Sequence, residues 1–298
     1  MWTFDRVTVR YKEGAAALED FSGRLAEKRI FGIVGPDGAG KSSLLKLMAG
    51  SIRPTSGRMA REGRFQIGYV SESFGLYEDM SVEENLRFYG SLYGLKRAEA
   101  EERSRDLLRR AKLLPFGGRL AGKLSGGMKR KLAIVAAVLH RPSCLILDEP
   151  THGVDPLARR EIWALIEELA REGTRVVVST QYLDEVARCD EVLFLHRGRL
   201  LVRGSPEELI RCFPHRVFRI PEMREARVRE LRRLRTVPGV VDAFPRGVHW
   251  IILAEGDEVL EPLKDHLNGM GYRREIEPAE PEFEDVFIQW MGEAEERD

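Results

Sequence analysis

The run Gly35-Pro36-Asp37-Gly38-Ala39-Gly40-Lys41-Ser42 constrains this chain more than any other stretch. It fits G-x-x-x-x-G-K-[ST], a loop whose glycines let successive backbone N–H groups turn inward around a triphosphate. Apolar Ile30-Phe31-Gly32-Ile33-Val34 leads into it and Ser43-Leu44-Leu45-Lys46-Leu47-Met48 leaves it, the strand–loop–helix setting the motif needs. The helix adds the positive end of its dipole. Expected nucleotide contacts therefore run from Gly35 through Ser43, with Lys41 reaching the β- and γ-phosphates and the Ser42 hydroxyl holding Mg²⁺.

Two further runs complete the pattern. Cys144-Leu145-Ile146-Leu147-Asp148-Glu149 is a short apolar strand ending in two carboxylates. Asp148 is placed to ligate Mg²⁺ and Glu149 to lie beside an attacking water. Between the two lies Leu124-Ser125-Gly126-Gly127-Met128, opening a helix to about Leu139. A Ser N-cap followed by two glycines at a helix start makes a second anion-binding nest. In collinear order over residues 1 to about 212, these runs resemble the nucleotide-binding subunit of ABC transporters, a family with a P-loop NTPase fold. A generic kinase or GTPase P-loop lacks the second glycine nest.

Length and composition agree. The 298 residues suggest one large domain and a smaller one. With 48 basic and 48 acidic residues there is no net field to attract nucleic acid, and none is expected as a partner. Cys144, Cys189 and Cys212 are widely spaced with no C-x-x-C pair, which argues against zinc or disulfides and fits a reducing cytosol. No stretch approaches 18 apolar residues, and Met1-Trp2-Thr3-Phe4-Asp5-Arg6 has no signal-peptide core. Any membrane work is expected to need a partner.

The pattern predicts strands at Trp2–Arg10 and Phe65–Val70. A capping box at Ser81-Val82-Glu83-Glu84 opens a helix to about Tyr93, and Arg97–Leu114 reads as a second helix. With the Ser125 helix these form a helical subdomain at about 75–140. Asp155-Pro156 starts a helix that stops at Gly173. Arg175–Ser179 and Glu191–Leu195 read as strands, with a hairpin turn at His196–Arg199. A composition shift near Pro214 divides a domain of residues 1–213 from one of 214–298. The latter reads as strand 216–220, helix 222–236, strands 239–244 and 248–254, helix 257–269 and strand 272–277. That β-α-β-β-α-β order suggests a small ferredoxin-like α+β domain. Arg224, Arg227, Arg232 and Arg235 form a basic face over a Val228/Leu231/Leu234 stripe, best read as solvated. The final helix at Pro281–Ile288 looks like the tail of drug-exporter ATPase subunits.

The resemblance implies more. The fold should be α/β, with a RecA-like core, an antiparallel β subdomain and a helical subdomain. Tyr11 falls where the family stacks an aromatic ring on adenine, and Gly153-Val154-Asp155 matches its D-loop; His152 has no role to inherit. Phe74–Ser81 resembles the face that receives coupling helices of a membrane permease. Where the family carries Gln this chain has Glu72, which can still ligand Mg²⁺ but adds charge near the γ-phosphate. Where the family carries a His that touches the γ-phosphate, Gln181 stands, with a weaker hold on developing charge. Because such ATPases pair head to tail, the intact Ser125-Gly126-Gly127 can complete a partner's site. That favours a heterodimer with a second ATPase domain, with a homodimer as the alternative.

The expectation is therefore a slow ATPase, using ATP and Mg²⁺ at the cytoplasmic face of the membrane. It would power a multidrug or daunorubicin-resistance type exporter, similar to the N-terminal half of tandem two-ATPase proteins. The alternatives are a regulatory ATP-binding pseudo-ATPase or a non-transport ABC ATPase.

Overall fold

The computed structural model describes residues 1–11, 14–25, 28–63, 66–221 and 228–296. It divides into two compact units, Met1–Pro206 and Glu207–Asp298, so the division falls before the composition shift at Pro214.

In the first unit, β1 (Trp2–Arg10) pairs antiparallel with β2 (Ala16–Leu25). Next come β3 (Ile30–Val34), α1 (Lys41–Met48) and β4 (Ser56–Arg61), the last antiparallel to β1. β5 (Ile67–Val70) leads to α2 (Val82–Leu92) and α3 (Arg97–Arg110). α4 (Gly126–Val138), β6 (Cys144–Leu147), α5 (Pro156–Arg171) and β7 (Arg175–Thr180) follow. The unit closes with β8 (Glu191–His196) and β9 (Arg199–Gly204).

Six strands form one sheet in the order β5-β6-β7-β3-β8-β9, parallel except for β9. Its central strand β3 is buried along its whole length, as a strand covered on both faces must be. The loop after β3 thus leaves the carboxyl edge of the sheet between two neighbours, where open α/β sheets place their ligands. The three-stranded sheet β2-β1-β4 packs on the other side of α1. Leu44, Leu45, Leu47 and Met48 of α1 share a core with Trp2, Phe4, Val7, Leu18 and Phe21 of that sheet. The Trp2 indole donates to the Met48 carbonyl at 3.1 Å, fixing the far end of the helix that carries Lys41.

Local signals set most helix ends. Ser81 and Glu84 form a reciprocal capping box, and Asp155 accepts from Leu157 and Ala158 N–H ahead of Pro156. The Arg97–Leu114 expectation is too long. Lys112 turns left-handed (φ 57°) and Leu113 N–H bonds back to the Leu108 carbonyl, ending α3 at Arg110 before a 3-10 turn at Leu114–Phe116.

α6 (Pro206–Arg211) begins at the last residue of the first unit, and the second unit continues with β10 (Arg216–Ile220), α7 (Val228–Leu234), β11 (Val240–Arg246) and β12 (His249–Ala254). α8 (Leu260–Gly269), β13 (Glu277–Ala279) and α9 (Phe283–Glu296) complete it. The antiparallel sheet runs β11-β12-β10-β13, the order of a split β-α-β arrangement. The last strand is later than 272–277, because only Glu277–Ala279 face β10 while Tyr272 and Ile276 pack into the core instead. Arg224 and Arg227 lie outside the described residues. Of the rest of that basic face, Arg235 is taken up by Asp242 at 2.6 Å. Leu231 and Leu234 are buried.

Candidate nucleotide site

The loop between β3 and α1 owes its course to close packing as much as to freedom. A Cβ on Gly35 would run into the Leu195 carbonyl oxygen of β8, and one on Gly40 into the Ala17 carbonyl oxygen of β2. Gly40 also holds φ 103°, which a side chain resists, and offers α1 no side-chain cap. Pro36 is half-buried, Asp37 and Gly38 are exposed, and Ala39 is buried.

Lys41 is buried, with Nζ 2.8 Å from the Gly35 carbonyl, 3.0 Å from the Pro36 carbonyl and 2.9 Å from Glu149 Oε1. The ammonium is thus held over the mouth of its own loop. The Ser42 hydroxyl donates to Asp148 Oδ1 at 3.0 Å, and Ser179 Oγ donates to the same oxygen at 2.8 Å. Ser179 Oγ in turn accepts the Glu149 N–H at 3.0 Å. This hydrogen bond helps keep Glu149 in a left-handed conformation (φ 47°), a strained backbone that turns its carboxylate toward Lys41. Ser179 is legible in the sequence only as a strand residue, and its hold on the Asp148 carboxylate and the Glu149 backbone is not.

A hydroxyl and a carboxylate 3.0 Å apart suit Mg²⁺, which takes one or two carboxylates and completes its shell with phosphate oxygens and water. Among the described residues no cluster of three or more His, Cys, Asp or Glu is poised for a metal, and such a site does not need one. Glu72 lies exposed after β5. Its charge, with those of Asp148 and Glu149, pulls on Arg130, whose pKa burial nonetheless holds below the ordinary arginine value. Arg130, from α4, donates to the Ser71 carbonyl at 3.2 Å. Burial, reinforced by the Asp148 charge, raises the pKa of the neighbouring Tyr69 phenol. Neither Arg130 nor Tyr69 stands out in the sequence.

Tyr11 is half-exposed at the rim, and its hydroxyl lies 3.2 Å from Ser43 Oγ. Gln181 follows β7, and its Nε2 lies 2.6 Å from His152 Nδ1. Ser125 caps α4 by accepting Met128 N–H at 3.3 Å. Gly126 faces open space apart from Val154, whereas a Cβ on Gly127 would strike Ala158 of α5. The second glycine is thus also a demand of helix packing.

Residues 18–152 match the family described as ABC transporter. YbhF, a probable multidrug ABC transporter ATP-binding protein of Escherichia coli (strain K12), is 38% identical over 275 residues, covering 89% of this chain and 47% of the relative. The daunorubicin resistance ATP-binding protein DrrA3 of Streptomyces coeruleorubidus is 34% identical over 218 residues, covering 70% of this chain and 69% of the relative. Among solved structures, the dimeric structure of MJ0796, a bacterial ABC transporter cassette, aligns with a TM-score of 0.64 and 25% identity, over 69% of this chain and 98% of that one. The chain belongs to the ATP-binding proteins of ABC transporters. It spans about half the length of the Escherichia coli relative.

Proposed function

We propose that the chain binds ATP with Mg²⁺, hydrolyses it slowly, and energises a drug exporter through a separate membrane permease. The observation that carries this reading is buried Lys41, held by its own loop carbonyls and Glu149 beside the Ser42–Asp148 pair. A triphosphate entering there replaces carbonyl and carboxylate partners of the ammonium with phosphate oxygens, a charge-assisted exchange. Ser42 and Asp148 would hold Mg²⁺, which screens the phosphate charge; Glu72 is a further candidate ligand. Tyr11 lines the rim for the base. Glu149 orients the attacking water, a role worth about 10²–10⁴-fold in comparable enzymes. Glu72 and Gln181 make the site slow by adding charge and removing a stronger donor.

The nest at Ser125–Gly127 favours a pair of ATPase domains, each completing the other's site, and the dimeric cassette among the solved structures supports such pairing. A heterodimer with a second, more active domain is the preferred form. Export follows the relatives named for multidrug and daunorubicin resistance. Among the described residues no helix is long and apolar enough to cross a membrane, so a permease is the proposed route to the cytoplasmic face of the membrane. Its docking surface is the segment from Phe74 to Tyr93. There buried Asn85 accepts from Tyr77 N–H and donates to the Tyr77 and Ser81 carbonyls, stiffening a loop beside exposed Tyr77, Leu92 and Tyr93. Residues 214–298 serve as an accessory regulatory domain.

Lys41→Ala is the direct test. It should abolish binding of a fluorescent ATP analogue while the variant stays folded by circular dichroism, with a lowered melting temperature because buried Glu149 loses its partner. Undiminished binding would remove the nucleotide assignment.

A further inference from the structure

Two loops far apart in sequence meet beside this site. β6 and β7 are neighbouring parallel strands, so the segments leaving their carboxyl ends emerge side by side. One carries His152 and the other Gln181, with His152 Nδ1 2.6 Å from Gln181 Nε2. The same nitrogen is 3.5 Å from Glu149 Oε2, while Glu149 Oε1 is engaged by Lys41. The carboxylate is therefore shared between an ammonium on one side and an imidazole on the other.

Both loops are anchored. Beyond His152, Asp155 caps α5. Arg159 of that helix donates to Asp184 and Glu185 at 3.0 Å, and its guanidinium lies 4.1 Å from the centre of the Tyr182 ring. On the other side of Gln181, the Thr180 hydroxyl donates to buried Glu185 at 2.6 Å. The approach of residue 181 to residue 152 is thus fixed from α5 on one flank and from β7 on the other. With the Gln181 amide turned to present its oxygen, a proton on Nδ1 can be shared between that oxygen and Glu149 Oε2, which ties the three side chains together.

We propose that His152 is a positioning residue for Glu149, steadied by Gln181. The proposal deepens the ATPase reading above and rests on it. When a phosphate draws Lys41 away, Glu149 loses its partner at Oε1, and His152 remains in reach of Oε2. The imidazole then holds the carboxylate in the strained pose that faces the reacting water. On this view Gln181 is a support for an imidazole delivered from the neighbouring loop.

The test is steady-state ATP hydrolysis by the full chain, assembled with its partner subunits if turnover requires them, with melting temperatures measured alongside. His152→Ala should lower kcat about tenfold with KM unchanged, as expected for lost alignment of a catalytic group. Adding Gln181→His to that variant should recover most of the lost kcat, because it returns an imidazole to the same place from the other side of the contact, and should raise kcat by a larger factor there than it does in the parent. A kcat for His152→Ala within about twofold of the parent would overturn the proposal. So would a loss matched by a rise in KM and a fall in melting temperature, or a double variant no faster than the single one. Failure here differs from failure of the ATPase reading, which shows as nucleotide binding that survives Lys41→Ala.

Discussion

The chain has two glycine-rich helix starts, and they are not equally ready for an anion. α1 begins at Gly40, which gives the helix no side-chain cap, so its first N–H groups face the loop cavity with Lys41 waiting among them. α4 begins at Ser125, whose hydroxyl already accepts an N–H of its first turn. The cations near both starts are engaged, Lys41 with two loop carbonyls and Glu149, Lys129 with Glu78 at 2.5 Å and Arg130 with the Ser71 carbonyl at 3.2 Å, so the cap is what differs. On the function proposed above, the uncapped start serves as a site by itself, and the capped start completes a site only when another molecule brings the phosphate. The same local sequence chemistry would then yield one whole site and one half-site.

Three changes would break or sharpen that contrast. Gly40→Ala should do most harm, since it puts a methyl group into the Ala17 carbonyl and forces φ 103° on a side chain. We expect a loss of about 4 kcal/mol of stability, together with loss of nucleotide binding. Gly126→Ala, where open space surrounds the glycine, should stay within about 1 kcal/mol when both variants are unfolded in urea. Equal effects would erase the distinction between the two starts. Ser125→Arg comes next. ATP affinity of the isolated chain should persist, while turnover of the assembled pair falls on the order of 100-fold, because the cation blocks the half-site. Loss of ATP binding in the isolated chain would show that α4 serves its own nucleotide.

A more modest effect than that of Gly40→Ala belongs to the support beneath α4. Lys131 is buried and paired with Glu161 of α5 at 2.7 Å, and Lys112 joins at 2.9 Å. Hydrogen bonds from Lys131 and Lys112 hold the Glu161 carboxyl below its ordinary pKa. Its stabilisation is thus present above the unfolded value of about 4.3 and disappears as pH falls through the lower folded one. Glu161→Ala should cost about 2 kcal/mol at pH 7, discounted for its partial exposure. Urea unfolding should show that difference shrinking in strong acid. A constant difference would place the cost in packing alone.

The sequence exposes the P-loop, the Asp148–Glu149 strand end and the helix caps because each is written in contiguous residues with its own stereochemistry. β2 and β4 were not legible. β4 has exposed or half-exposed residues throughout, so no alternation marks it, and it exists as a strand because β1 pairs with it. Register shifts along the β1–β2 ladder and a left-handed Asp20 interrupt the period-two pattern of β2. The meeting of His152 with Gln181 is written nowhere locally. It arises because β6 lies beside β7, a fact of sheet order. In the second unit three of the four strands follow their apolar runs, while the fourth is set by the reach of β10.

The close approach of Gly127 to Ala158 has a mechanical consequence. With no side chain between them, and with Val154 Cγ1 3.9 Å from where a Cβ on Gly126 would sit, the head of α4 and the turn into α5 are geared together with little backlash. A side chain at residue 127 would wedge the two elements apart, so the first turn of α4 can lie this near to Ala158 only while that position stays bare.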